Sequence, residues 1–97
     1  MGGREARPRS RVEVYEVVLT TLAAKQLGAL ERTVARRIQG AIELLSHNPY
    51  PPKATKLSGR DGYRVRVGDY RILYDVIDDQ LIIRVLRLGH RRDIYRR

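Results

Sequence analysis

From Tyr63 to Tyr74 the chain alternates with a period of two. Tyr63, Val65 and Val67 are interleaved with Arg64 and Arg66, Gly68-Asp69 interrupts, and Tyr70, Ile72 and Tyr74 resume around Arg71 and Leu73. Successive side chains of a strand point to opposite faces, so this pattern specifies a half-buried β-hairpin closed by a two-residue turn. The register follows: Val67 opposite Tyr70, Arg66 opposite Arg71, Val65 opposite Ile72, Arg64 opposite Leu73 and Tyr63 opposite Tyr74. One face then carries only apolar and aromatic side chains and belongs against a core. The other carries Arg64, Arg66 and Arg71.

The Arg66–Arg71 pair is the informative one. Directly opposed residues have Cβ atoms roughly 4.5–5.5 Å apart, and like charges there are destabilising. An anion bridging the two guanidiniums reverses the sign of that interaction. A solvated face whose arginines splay apart, or pair with Asp75 or Asp69, is the competing reading, and a one-residue slip of register would remove the argument.

The remaining pattern surrounds this hairpin. Val12 to Leu19 suits a strand, and Thr20 or Thr21 can cap a helix on which Leu22, Ala23, Leu27 and Leu30 recur. A second helix is predicted from about Glu31 to Leu45, with Val34, Ile38, Ile42 and Leu45 on one stripe and Gly28 near the break. Ser46-His47-Asn48-Pro49 stops it. A third C-terminal strand is predicted from Gln80 to Leu88, joined through a tight Asp78-Asp79 turn, with Leu81, Ile83 and Val85 on the core face and Arg84, Leu86 and Leu88 beside the arginines. The fold class is α+β, in the order β-α-α-β-β-β, with a helical hairpin on one face of a small, mainly antiparallel sheet. Residues 1–11 carry Gly2, Gly3, Pro8 and four arginines without periodicity and read as a disordered basic arm before one domain over residues 12–97.

Composition narrows the function. The net charge is +9, built from 20 Lys and Arg against 11 Asp and Glu, and only Lys25, Lys53 and Lys56 are lysine. Arginine offers a planar fork that matches phosphate oxygens in pairs, although a GC-rich genome also enriches it. There is no cysteine, which excludes disulfides, thiolate metal sites and thiol catalysis. No carboxylate cluster has metal-site spacing, so no metal or cofactor is expected. The apolar runs are too short for a membrane span, Glu13 and Glu16 spoil any signal peptide, and a cytoplasmic protein is expected.

Gly62-Tyr63-Arg64-Val65-Arg66-Val67-Gly68-Asp69-Tyr70-Arg71-Ile72-Leu73-Tyr74, followed by Gly89-His90-Arg91-Arg92-Asp93-Ile94-Tyr95, closely resembles the RelE branch of the RelE/ParE toxin superfamily. The resemblance spans about Val12 to Tyr95. It implies a bacterial type II toxin that cuts mRNA, typically in the ribosomal A site, by attack of a ribose 2′-OH on its own 3′ phosphate without a metal. It makes Arg71 the phosphate and transition-state clamp, aided by Arg64 and Arg66. Arg91 stabilises charge at the leaving group and Tyr95 orients or stacks the substrate base. Lys53, Lys56, Arg84 and Arg92 are the further RNA-binding cations expected. Some relatives carry lysine where this chain has Arg66, and arginine stays protonated. The general base is therefore either His90, whose reference pKa near 6.5 suits a proton shuttle, or dispensable beside electrostatic stabilisation. The resemblance further implies a cognate antitoxin, RelB-like or Phd/YefM-like, with operator DNA bound only through the antitoxin complex. The alternative is a ParE-like poison of DNA gyrase without nuclease activity. A plain nucleic-acid-binding module without chemistry is a third.

Overall fold

The computed structural model describes residues 14–93; the basic arm and Tyr95 lie outside them. Strand β1 (Glu16–Leu19) leads into helices α1 (Thr21–Gly28) and α2 (Arg32–His47), then strands β2 (Thr55–Lys56), β3 (Tyr63–Val67), β4 (Tyr70–Ile77) and β5 (Ile82–His90). The five strands form one sheet in the order β1-β5-β4-β3-β2. Among the described strands only β1 runs parallel to its neighbour, β5.

Local chemistry sets the helix boundaries. Thr20 Oγ1 accepts the Ala23 amide at 3.0 Å, capping α1, and donates to the Leu86 carbonyl at 2.8 Å, fastening that cap to β5. The Leu88 amide donates to Gln26 Oε1 at 2.8 Å, so α1 is tied to the same strand twice. Ala23, Ile38, Ile42 and Leu45 bring the helical stripes onto Val65, Ile72, Tyr74, Ile83, Val85 and Leu88, all buried. The predicted stripe holds except at Leu22, which is 43% exposed.

The β3–β4 register is the predicted one at all five pairs. Gly68 has φ +61°, the left-handed first turn position that a type II′ hairpin requires and glycine supplies without strain. The second turn is longer than expected. Asp78–Gln80 form a short 3₁₀ turn closed by Leu81 in the left-handed region at φ 55°, so β5 starts at Ile82. Tyr15 and Tyr50 hold this turn, donating to Asp78 Oδ1 at 2.8 Å and Oδ2 at 2.6 Å. Their hydroxyls lower the Asp78 carboxyl below its usual range, Tyr50 more than Tyr15.

Between β4 and β5 the ladder shifts register at Leu73/Tyr74. Tyr74 pairs with Val85 but Leu73 pairs with Arg87, so Leu86 is the extra residue of a bulge. The bulge reverses the expected facing beyond it. Leu88 pairs with Ile72 and is fully buried under the helices, whereas Arg87 and Gly89 take the places on the arginine face expected for Leu88 and its neighbours.

Candidate functional site: an arginine face

On the side of the sheet away from the helices, cross-strand rows can be read directly from the register. One row is Thr55, Arg64, Leu73 and Arg87; the next is Arg66, Arg71 and Gly89. With strands about 4.8 Å apart and rows two residues apart, four guanidinium side chains leave a patch on the order of 10 Å across. At the other end of the face Arg84 is engaged. Its Nε and Nη2 donate to Asp75 Oδ1 and Oδ2 at 2.9 and 2.5 Å, a fork-to-fork pair that raises the Arg84 pKa. The positive charge is therefore concentrated at the end nearest the β3–β4 turn.

Two features distinguish this patch from the rest of the sheet surface. Leu73 is 1% exposed although it lies on the helix-free side, between Arg64 and Arg87, so the arginines stand around an apolar floor. Beside it a cleft of about 360 Å³ opens between the sheet and the β2–β3 loop, lined by Lys56, Leu57, Arg60, Arg64 and Leu73. In addition, Arg71 Nη1 and Arg87 Nε are shielded from solvent and meet no hydrogen-bond acceptor among the described residues. A buried donor without a partner costs about 1–3 kcal/mol, more when charged. An anion on this face removes that cost and the Arg66–Arg71 repulsion together.

The segment after β5 is drawn to the same end. The Arg91 amide donates to the Asp69 carbonyl at 2.7 Å, which continues the β4–β5 ladder one residue past Tyr70–His90 and lays the Arg91 backbone against the turn.

Over residues 17–95 the chain matches the ParE toxin family of type II toxin–antitoxin systems, parDE. It belongs to the RelE/ParE superfamily of type II toxins. Its similarity to toxin RelG of Mycobacterium tuberculosis is 37% identity over 87 residues, 86% of this chain and 98% of the relative. Among solved structures, a chain of the RelBE2 toxin–antitoxin complex of M. tuberculosis superposes with a TM-score of 0.72 at 28% identity, covering 82% of this chain and 94% of that one. A chain of the archaeal RelE–RelB complex of Pyrococcus horikoshii does so at 0.70 and 29%, covering 84% and 99%.

In this toxin the structure brings together Arg64, Arg66 and Arg71, with the backbone of Arg91 at the adjoining turn. His90 lies apart from that group. It pairs with Tyr70, on the helix side of the sheet, with its ring edge-on to Tyr70 at 5.5 Å and its Nδ1 accepting the Arg92 amide at 3.1 Å. The bulge is the reason, since without it His90 would share the arginine face. Arg92 is exposed beside His90. Lys56 lines the cleft, and Lys53 lines a separate apolar groove between α2 and β3. Arg84 is held by Asp75 at the far end.

Arg87 is the residue that the sequence reading passed over. A signal for it existed: Arg84 and Arg87 are three positions apart on one strand. Strict alternation would drive one of them into the core, where an unpaired charge is prohibitive, so an extra residue between them is required.

Proposed function

We propose that the toxin is a metal-independent endoribonuclease that cuts mRNA, in the ribosomal A site, and thereby arrests translation and growth. The observation that carries the reading is the opposed Arg66–Arg71 pair with a shielded Arg71 Nη1 that lacks an acceptor among the described residues. A scissile phosphate between them accepts from both. The ribose 2′-OH gives its proton to solvent water and attacks its own 3′ phosphorus, the 5′ oxygen leaves and takes a proton from water, and the products are a cyclic phosphate and a 5′-OH fragment. Negative charge grows on the nonbridging oxygens as the phosphorus becomes five-coordinate, and Arg64, Arg66 and Arg71 face that charge. Arg91 neutralises the departing oxygen and Tyr95 holds the base. Each preorganised donor of this kind is worth about 10²–10³ in rate. With His90 on the other side of the sheet, electrostatic stabilisation carries the step, and no side chain among the described residues serves as a conventional base.

The antitoxin partner is part of the proposal. Both solved relatives are toxin–antitoxin complexes. Along β3, only Tyr63 and Arg64 pair with β2, which leaves the outer edge from Val65 to Val67 without a strand neighbour among the described residues. Next to that edge lies an apolar groove of about 320 Å³, walled by Leu44, Leu45, Pro51, Val65 and Val67 and rimmed by Lys53 and Arg66. Leu44 is 71% exposed there. An apolar segment with flanking acidic residues, RelB-like or Phd/YefM-like, fits both the lining and the +9 charge. Operator DNA is reached through the antitoxin.

The test is expression of Arg71→Ala/Arg91→Ala without antitoxin, with transcript ends mapped by primer extension. Loss of growth arrest and of new 5′-OH ends is expected; undiminished arrest and cutting defeats the assignment. The name of the matching family, ParE, keeps a second reading in view, a gyrase poison acting by protein contact. Double-strand DNA breaks with intact transcripts identify that outcome.

A further inference from the structure

We infer that Arg87 holds substrate as well, forming with Arg71 a second phosphate notch on the β4–β5 side of the arginine face, for an RNA phosphodiester neighbouring the one that is cut. The inference rests on the ribonuclease reading and adds to it a residue that lies in neither of the motifs defining the family resemblance.

Position comes first. Arg87 is opposite Leu73, and Arg71 is opposite Gly89, so Arg71 and Arg87 are diagonal neighbours with no intervening side chain on β5. Diagonal positions are roughly 7–8 Å apart, within reach of two long side chains acting on one anion. Their donors point to the same conclusion. Each has a nitrogen shielded from solvent with no acceptor among the described residues, and Arg71 Nη1 carries two protons, one for each phosphate. Arg84 is the internal contrast, since it lies on the same strand and face and both its Nε and Nη2 are satisfied by Asp75. An arginine retained for the fold alone has the surroundings of Arg84. Arg87 has those of a binding group awaiting its ligand.

The floor strengthens the site. Leu73 is buried between Arg64 and Arg87, and an apolar base keeps water from screening charges beside it. Guanidinium Nε and Nη donors match two phosphate oxygens at once, which a lysine ammonium cannot reproduce. A second held phosphate fixes the direction of the RNA strand across the hairpin, so the reacting 2′-OH is delivered in line. That matters most in a site without a conventional base.

The probe is a fluorescent 2′-O-methyl hexaribonucleotide, which lacks the attacking hydroxyl and cannot be cut. Its binding is measured by anisotropy between about 50 and 200 mM salt. Arg87→Gln and Arg87→Ala are expected to weaken binding roughly tenfold and to lower the slope of log K against log salt by about 0.7. Arg87→Lys is expected to restore the slope but not the full affinity, because it returns the charge without the Nε fork. Wild-type affinity and slope in the Arg87 variants, with both lost in Arg71→Ala, overturn the notch and leave the ribonuclease reading standing. Binding indifferent to Arg71→Ala as well overturns both, and binding absent in wild type overturns the notch. Should the neutral variants fail to fold, the wild-type Arg87 Nε–H resonance decides: a shift on saturation supports the notch, and an unmoved resonance overturns it.

Discussion

Arg66 and Arg71 stand directly opposite each other across the β3–β4 hairpin, with Gly89 completing their row on β5. Two cations so placed cost the fold about 0.2–1 kcal/mol. Arg66→Gln should therefore raise the melting temperature by a few degrees in chloride buffer, at about 4–8 °C per kcal/mol for a domain of this size. Transcript cutting should fall about 10²-fold or more. Phosphate buffer should narrow the difference by stabilising the wild type more. Thermal melts in the two buffers, beside primer extension, check this. A variant that is both less stable and fully active contradicts it.

The hairpin was legible because its signals are local: a period of two, a Gly-Asp interruption, and apolar residues that would all be exposed by a one-residue slip. The helices were legible for the same reason, through Thr20 and the Val34, Ile38, Ile42 and Leu45 stripe. What escaped depends on contacts distant in sequence. The Asp78 turn is shaped by Tyr15 and Tyr50, neither adjacent to it. The bulge at Leu86 follows from weighing two arginines against a core formed by other elements, and it exchanged His90 for Arg87 at the site. Strand β2 is only Thr55–Lys56, too short to leave a periodic signature.

The Asp78 clasp gives the toxin an acid-sensitive element. Its carboxyl sits below the unfolded value near 3.9, first through Tyr50 and then through Tyr15. A depressed folded pKa contributes stability that is present above the unfolded value and lost as pH falls through the folded one. Because the Asp78 carboxylate is exposed and screened by solvent, Tyr50→Phe should lower stability at neutral pH only modestly, by about 0.2–1 kcal/mol. The gap from wild type should close as pH falls below about 4. Urea titrations across that range measure it, and a gap independent of pH would place the effect in ring packing instead.

Tyr74 sets the alkaline limit. Burial, and next the neighbouring Tyr63, push its pKa up to about 12, and its hydroxyl donates to the Pro49 carbonyl at 2.7 Å. A raised folded pKa contributes stability that is complete below the unfolded value near 10 and is lost as pH climbs toward the folded one. Tyr74→Phe should be less stable than wild type by about 1–2 kcal/mol at neutral pH. The difference should shrink above about pH 10, where the unfolded wild type ionises. Denaturant midpoints on either side of that pH show whether it does.

Gly62 is where the β2–β3 loop presses against β4. A Cβ there would lie 2.9 Å from the Tyr74 carbonyl oxygen and 3.2 Å from Leu57 Cδ1, on backbone with φ +120°. Backbone cannot yield as a side chain can, so Gly62→Ala should destabilise by about 1–3 kcal/mol. It should also widen the cleft at Leu57, weakening RNA binding beyond what Arg64→Ala alone removes. Calorimetry and oligonucleotide binding on the same preparation separate the two effects.

A substitution at Leu44 should separate neutralisation from toxicity. It is 71% exposed on α2, walls the apolar groove by β3, and lies on the helix-bearing side of the sheet. Leu44→Glu places a carboxylate against an acidic partner while altering a surface position, where substitutions usually change stability by less than about 0.5 kcal/mol. Antitoxin affinity should drop roughly tenfold or more if the groove holds an anchoring side chain of the partner, whereas growth arrest by the toxin alone should be unchanged. Co-expression then becomes lethal at antitoxin levels that protect against wild type. Leu44→Ala grades the result, because loss of area without added charge should weaken binding less. Equal protection against Leu44→Glu and wild type moves the antitoxin off this groove and onto the open edge of β3 or the arginine face itself.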